Sequence, residues 1–201
     1  MSLIERYTFP TLAHAFMNML RGGSTEKLCL DCGAGGERPP AALFKYHGYE
    51  TCGIDIDEKR LKMAEDFCKQ EGIDVDFRLG DMRELDFAND SFGSVFSYNT
   101  ICHLSREDTA TAMEEMIRVL KPGGHLFVNF LSTDDFRHGL GEEVARNEFV
   151  HVALHTFFED EEPEGFFEGT EITWKLKWTE QLLHAGKWMK RATLVYLAEK
   201  K

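Results

Sequence analysis

One stretch, residues 27–57, restricts the fold of this chain more than any other. A short apolar run ends in Asp31 and a glycine-rich turn at residues 33–36, and a second apolar run ends in Asp55 after one helix length. This order predicts a strand, a tight turn, a helix and a parallel strand. Glycines in such a turn let backbone N–H groups approach a ligand closely. The second acid follows 22 residues after the turn begins, where a carboxylate can accept hydrogen bonds from ribose hydroxyls.

The alternation of strands and helices continues as far as residue 131. Apolar runs predict strands over 27–32, 50–56, 75–79, 92–98 and 125–131, with helices over 38–46, 58–71 and 105–120. Residues 132–148 are polar and are predicted as a loop, followed by strands over 151–158, 172–178 and 190–197. The pattern predicts an α/β fold with a doubly wound, mostly parallel, seven-stranded sheet and an antiparallel C-terminal edge.

A further helix is predicted before the first strand, over residues 11–20, with Leu12, Phe16 and Leu20 on one face. Two interpretations are open for it. The helix covers one edge of the sheet, or it forms a lid over the ligand. We favour the first, because an apolar stripe on a helix usually marks packing against a core.

Charge and apolar run lengths exclude several classes of protein. The chain has 35 acidic and 23 basic residues, a formal charge of −12, which disfavours nucleic acid as a partner. No apolar run approaches the roughly 20 residues that a membrane span requires. No long apolar segment resembles a secretion signal at the start of the chain. We therefore expect a cytoplasmic protein without a membrane partner.

Cysteine usage gives little support to a disulfide framework or a metal site. The five cysteines are an odd number and are scattered along the chain. Cys29 and Cys32 have the spacing of a zinc pair, but no second pair follows. We interpret them as small core residues and predict no metal.

Four polar residues follow four successive predicted strands: Asp31, Asp55, Asp81 and Asn99. The carboxyl ends of parallel strands face one crevice, where ligands of open α/β sheets bind. An aspartate in such a place can also cap a turn or a helix without binding anything. For the four together we favour a shared ligand site.

These residues lie in motifs that resemble the class I S-adenosylmethionine-dependent methyltransferases of the small-molecule type. The resemblance covers residues 27–131 and rests on four motifs, Asp31–Gly35, Gly53–Asp57, Gly80–Met82 and Arg118–Gly124. It implies a Rossmann-like methyltransferase sheet, S-adenosylmethionine as cofactor and S-adenosylhomocysteine as product. The chain departs from the family pattern at Glu37, where a third glycine is common, and at Gly93, where strand four usually carries an acid.

The resemblance also implies a role for individual residues around the cofactor. Those on the methionine side are Asp31, which orients the turn and the ligand ammonium, Gly33, Ala34 and Gly35, which pass close to the methionine, and Asn99 near the sulfonium. Those on the nucleoside side are Asp55 for the ribose hydroxyls, Ile56 packing on adenine, and Asp81 with the backbone N–H of Met82 for the adenine amino group.

The resemblance further implies three domain parts within one domain, residues 1–201. These are an N-terminal helical cap over 1–26, a cofactor-binding core over 27–131 and a C-terminal substrate-side loop with edge strands over 132–201. Arg38 either meets the ligand carboxylate or is an exposed helix residue, and both interpretations stay open.

A sulfonium methyl group is already electrophilic, so a general base is optional. His103, in the loop after strand four, is the candidate catalytic base. His151 and His155 lie on one face of a predicted strand if that strand is regular, and we expect them to be half-buried or to face the substrate rather than share a metal.

The predicted function is methyl transfer to an oxygen, nitrogen or sulfur atom of a small molecule, by a monomer or a homodimer. An NAD-dependent oxidoreductase is one alternative, although Arg38 stands where a Gly-x-Gly-x-x-Gly motif has its last glycine. A non-catalytic S-adenosylmethionine-binding module is the other.

Overall fold

A largely parallel β-sheet forms the centre of the fold in the computed structural model, which describes residues 2–20, 26–184 and 186–201. Over these ranges it has ten strands: β1 (Leu28–Cys32), β2 (Glu50–Asp55), β3 (Asp76–Leu79), β4 (Phe92–Ser97), β5 (Leu120–Ser132), β6 (Glu142–Ala145), β7 (Glu148–Val150), β8 (Leu154–Phe158), β9 (Thr170–His184) and β10 (Lys187–Lys200).

Seven of these strands follow one path across the sheet. Strands β3, β2, β1, β4 and β5 are parallel neighbours in that order. Strand β10 is antiparallel to β5, and β9 is antiparallel to β10. The predicted fold class, including the antiparallel C-terminal edge, is confirmed. The strand order reverses between β1 and β4, and this is the place where sheets of this kind bind ligands.

The other three strands form an extension, residues 142–158. The strand predicted over 151–158 is present as β8, whereas β6 lies within residues 132–148, which were wrongly predicted as a loop. Strand β8 pairs in parallel with Leu131 and Ser132 at the end of β5, and β7 and β6 follow it antiparallel. Leu131 also pairs with Thr193 of β10. A strand can pair along two edges. Because β10 occupies one edge of β5 at Leu131, β8 pairs along the other edge, the one that β4 uses, and lies beyond the carboxyl end of β4.

The predicted helices are present with small changes at their ends. The described helices are α1 (Leu3–Arg6), α2 (Thr11–Leu20), α3 (Pro40–Tyr46), α4 (Glu58–Glu71) and α5 (Arg106–Val119), with single 3₁₀ turns at Ile101–His103 and Glu162–Phe166. None of these helices has the length and apolar character that crossing a membrane requires.

Local capping explains why these helices begin and end where they do. The Asp57 side chain accepts the N–H groups of Lys59 and Arg60 at the start of α4, and Gly72 ends that helix with a φ of 67°. Helix α3 begins at Pro40 instead of residue 38, because Pro39 has an extended backbone with a ψ of 137°.

Both faces of the sheet are covered, as a doubly wound fold requires. On one face, Phe16 of α2 packs against Phe96 of β4 and Phe127 of β5, with ring centroids 5.4 Å apart in both pairs. On the other face, Met113 of α5 packs in a buried cluster with Val95 of β4. Successive strand residues point to opposite faces, which places these neighbours on opposite sides. Helix α2 therefore packs against the sheet, as we favoured, but on a face formed by β4 and β5 and not at an edge.

Gly93 in β4 has a steric reason for departing from the family pattern. A Cβ atom at this position would collide with the backbone carbonyl oxygen of Glu26, just before β1. The acid usual at this position in the family has no room here.

Candidate functional site

The glycine-rich turn after β1 is held by the end of β2. The backbone N–H groups of Gly33 and Ala34 both donate to the Ile54 carbonyl, at 2.8 and 2.9 Å. Gly33 has a φ of 90°, in the left-handed region that favours glycine. A Cβ on Gly33 would overlap the side chain of Thr100, so the turn also lies directly against the loop after β4.

Asp55, at the end of β2, binds this turn directly. Its Oδ2 accepts the Gly35 N–H at 2.8 Å, and its Oδ1 accepts the Asp57 N–H at 2.9 Å. Arg60 of α4 donates from Nη2 to the Gly35 carbonyl at 3.0 Å, and its Nε lies 4.0 Å from Asp55 Oδ2. The carboxylate therefore faces the glycine turn and carries a cation beside it.

Asp81 follows β3, and its carboxylate is bound by Arg83. The Arg83 backbone N–H and side-chain Nε donate to Asp81 Oδ1 at 2.9 and 3.0 Å. These hydrogen bonds lower the pKa of Asp81 below its ordinary value. Arg83 also pairs with Asp108 of α5 at 3.1 Å. Asp81 is thus a charged acceptor whose direction is fixed by its neighbour.

Asn99 stands at the end of β4 in a reciprocal pair with Asn129 of β5. The Asn99 backbone N–H donates to Asn129 Oδ1 at 2.8 Å, and Asn129 Nδ2 donates to Asn99 Oδ1 at 3.0 Å. Asn99 has a φ of 55°, and Asn129 is 1% exposed. With its oxygen taken by Asn129, the Asn99 amide has its NH₂ group left for a ligand.

A cavity of about 610 Å³, which we call the first cavity, brings most of the predicted cofactor residues together. Its wall includes six of them and the predicted base: Gly33, Asp55, Ile56, Asp81, Met82, Asn99 and His103. Ile56 is 66% exposed, which leaves an apolar surface for a flat ring. Gly35 lines a second cavity instead, and Ala34, within the turn, is fully buried.

Asp31 is the least exposed of the predicted polar site residues. It lines neither of these cavities, is 1% exposed, and accepts the Ala41 N–H at the start of α3 at 2.9 Å. Burial raises the pKa of its carboxyl to about 7. The residue thus anchors the helix that follows the turn, and its contact with a ligand ammonium stays a prediction.

The second cavity, about 790 Å³, lies on the other side of the turn. Its lining comes from five parts of the chain: Thr8–Leu12, Gly35–Arg38, Arg60 and Met63 of α4, Tyr98 directly after β4, and Trp178, Glu180 and Arg191 of the β9–β10 pair. Arg60, which lies beside the Asp55 carboxylate, lines both cavities. Arg38 lines the second cavity and is exposed.

Two of the three predicted histidines lie together. His103 Nδ1 is 3.0 Å from the Leu154 carbonyl, His155 Nδ1 is 3.2 Å from the Ala153 carbonyl, and the two rings are 4.8 Å apart. A carbonyl only accepts, so in the neutral form of each ring Nδ1 carries the hydrogen and Nε2 has the lone pair. Burial, followed by the nearby His103, lowers the pKa of His155.

His151 does not share a strand face with His155, and that prediction is wrong. Strand β8 begins at Leu154, and the backbone before it bends, with the His151 N–H directed to the Ala153 carbonyl. His151 is exposed and lines neither cavity. The described part of the chain has no cluster of three or more side chains able to hold a metal ion, and Cys29 and Cys32 are free, fully buried thiols.

Sequence reasoning missed several residues of the site. Arg60 is a cation in the first turn of a helix, where the helix dipole disfavours one, and this was a usable signal. Asn129 is a polar residue within an apolar strand, which is a second signal. Trp178 and Arg191 are far from the motifs in sequence, and no local pattern connects them to the site.

Comparisons with known proteins agree with the motifs. A profile of the methyltransferase-domain family matches residues 30–128, which contain all four motifs. Methyltransferase GfsG of Streptomyces halstedii is 35% identical over 101 residues, covering 49% of this chain and 36% of GfsG. The 2-methyl-6-phytyl-1,4-hydroquinone methyltransferase of Synechocystis is 30% identical over 152 residues, covering 74% of this chain and 46% of that enzyme. The chain thus spans less than half the length of these relatives.

Solved structures share the fold. The crystal structure of a SAM-dependent methyltransferase from Methanosarcina mazei is similar, with a TM-score of 0.76 and 18% identity, over 96% of this chain and 99% of that one. At this identity the likeness is evidence for the fold alone.

The buried Asp31 carboxyl predicts a pH-dependent stability. Its folded pKa of about 7 lies above the roughly 3.9 of an unfolded aspartate, so its stabilising contribution is full below about pH 4 and is lost as the pH rises through about 7. Asp31→Asn keeps an acceptor for Ala41 and cannot ionise. In urea unfolding, this variant should gain stability relative to the parent protein across that window. A difference independent of pH, or the same trend in the exposed control Asp74→Asn, would contradict the burial effect.

The Asp55 carboxylate predicts a loss of nucleoside affinity when it is removed. Asp55→Ala should weaken S-adenosylhomocysteine binding by about 1–3 kcal/mol, because charge-assisted hydrogen bonds are lost and the Gly35 N–H loses its acceptor. Isothermal titration measures this, with the exposed Asp86→Asn as control. Unchanged affinity in Asp55→Ala would reject the assignment of this residue to the ribose.

Proposed function

The chain belongs to the class I S-adenosylmethionine-dependent methyltransferases, and from this premise we propose that it transfers the cofactor's methyl group to an oxygen, nitrogen or sulfur atom of a small molecule. The observation that carries the proposal is the convergence of Asp55, Asp81 and Asn99 on the first cavity beside the glycine turn. Three polar groups from three strand ends, with backbone amides and an exposed isoleucine, suit a nucleoside with a charged tail.

Each part of the site has one binding task in this proposal. Asp55 accepts hydrogen bonds from the ribose hydroxyls, while Ile56 packs on the adenine ring and Asp81 accepts from its amino group. Gly33–Gly35 face the methionine part, and Asn99 lies next to the sulfonium. When bound, the cofactor supplies an electrophilic methyl group, so the protein has to orient the acceptor and exclude water.

A small-molecule acceptor is favoured over a nucleic acid. The chain carries a formal charge of −12, which repels a phosphate backbone. The Synechocystis relative has a hydroquinone in its name, and we take this as support for a small acceptor here. Family membership disfavours the NAD-dependent alternative, while the non-catalytic alternative is separated from an enzyme by turnover.

Two measurements test the proposed function. Isothermal titration should show binding of S-adenosylhomocysteine and no comparable binding of NAD. With S-adenosylmethionine and a panel of small phenols, amines, thiols and acids, release of S-adenosylhomocysteine should depend on an acceptor. Preferential NAD binding would overturn the cofactor assignment, and cofactor binding without transfer to any acceptor would favour the non-catalytic module.

His103 is the proposed base for acceptors that arrive protonated, since its Nε2 lone pair is free. His103→Gln should lower kcat by about 10²-fold, within the range of general base catalysis, and leave S-adenosylhomocysteine affinity unchanged. The exposed Gln70→Ala variant on α4 is the control. An equal loss of cofactor affinity would instead make His103 a cofactor contact, because it lines the first cavity, and full activity would discard the base.

A further inference from the structure

The lining of the second cavity has more basic than acidic side chains, whereas the protein as a whole is acidic. Three guanidinium groups line it, those of Arg38, Arg60 and Arg191, against two carboxylates, Glu37 and Glu180. The whole chain has 35 acidic and 23 basic residues. A concave site with excess positive charge in an acidic protein attracts anions to that one place.

We propose that the second cavity binds the methyl acceptor, and that this acceptor is a small molecule with a planar ring and an oxyanion group. The inference rests on the proposed function, because it requires the cofactor in the adjoining first cavity. It assigns Arg191 to the oxyanion and Trp178 to the ring.

The carboxylate of a bound cofactor would need only the arginines beside the glycine turn. Arg38 and Arg60 lie on the same side as Gly35 and Gly36, and Arg60 is already bonded to the Gly35 carbonyl. Arg191 comes from β10, a separate element. A guanidinium there remains available to a second anion, and its fork geometry fits a carboxylate or a phosphate.

Strand register places Arg191 and Trp178 on one face. Arg191 pairs directly with Glu180 across the β9–β10 ladder, and Trp178 is two residues from Glu180 on the same strand. Residues two apart on a strand share a face. Trp178 is 37% exposed, which leaves indole surface open beside the cation. A ring stacked on Trp178 would carry its anionic group toward Arg191.

Glu180 contacts Arg191 but leaves most of its N–H donors free. The Arg191 Nη1 to Glu180 Oε1 distance is 3.4 Å, and Arg191 is half-buried. A guanidinium has five N–H donors, so one long contact leaves donors for a ligand. The carboxylate thus orients the arginine across the strand pair.

The same lining disfavours a purely apolar acceptor. Charged and hydroxyl side chains make up more than half of it: Thr8, Thr11, Glu37, Arg38, Arg60, Tyr98, Glu180 and Arg191. A long hydrocarbon chain would remove water from these groups without offering hydrogen bonds in return, which costs free energy at each one. The expected acceptor is therefore polar at one end.

The second cavity also lies close to the residue assigned to the sulfonium of the cofactor. Tyr98 lines the second cavity, and its neighbour Asn99 lines the first. Arg60 belongs to both linings. An acceptor held by Trp178 and Arg191 would share its cavity with Tyr98, the chain neighbour of Asn99, which is the residue assigned to the sulfonium.

Matched ligand pairs that differ in charge test the proposal. The pairs are 3,4-dihydroxybenzoate with 3,4-dihydroxybenzamide, and 4-hydroxyphenyl phosphate with hydroquinone, titrated into protein loaded with S-adenosylhomocysteine. We expect at least one anion to bind about tenfold or more tightly than its neutral partner. The pair that responds distinguishes a carboxylate from a phosphate. Equal binding within both pairs, or no binding by any of the four, would overturn the proposal.

Variants assign the site. Arg191→Gln should remove the preference for the anion, while the affinities for the neutral ligand and for S-adenosylhomocysteine stay unchanged. Arg191→Lys should restore part of the preference. The exposed Lys187→Gln on the same strand is the control. Anion binding should change tryptophan fluorescence, and Trp178→Phe should abolish that change. A preference that survives Arg191→Gln would overturn the assignment. If the parent protein itself does not bind S-adenosylhomocysteine, the proposed function is rejected instead. Failure of the proposed function is thus distinguishable from failure of the acceptor assignment.

Discussion

The hydrogen bond from the Gly35 backbone N–H to the Asp55 carboxylate is the contact on which the ligand crevice depends. It joins the turn after β1 to the end of β2, at 2.8 Å, and it leaves no space for a side chain at position 35. Arg60 binds the carbonyl of the same residue from α4. The turn is thus fixed from three elements, and a rigid turn is what a close backbone contact with a ligand requires.

The opposite side of the crevice depends on a buried pair of amides. Asn129 lies within an apolar strand and satisfies both its own polar atoms and the backbone of Asn99. A buried polar side chain without such a partner would cost about 1–3 kcal/mol, so the pair holds the loop after β4 in one arrangement. Asn99 therefore has a left-handed backbone and a defined side-chain direction.

The chain after residue 131 contributes residues to the linings of both cavities. The β6–β8 extension brings the Leu154 carbonyl to His103, and the β9–β10 pair brings Trp178 and Arg191 to the second cavity. The lining of the first cavity comes mostly from residues before 131, with Ala153 and Leu154 added from the extension.

The sequence by itself determined the fold class, the ends of α2 and α4, and the family, because each depends on local spacing, capping or motif order. The predictions failed in two places: at β6, whose four residues are all exposed and lie within a predicted loop, and at His151, where the backbone bends before β8. Only the tertiary structure decided that Asp31 is buried, that Asn129 sets Asn99, and that Arg191 meets Arg60 across a cavity. The physical reason is that these contacts join residues 10 to 131 positions apart, and no local pattern encodes a partner at that separation.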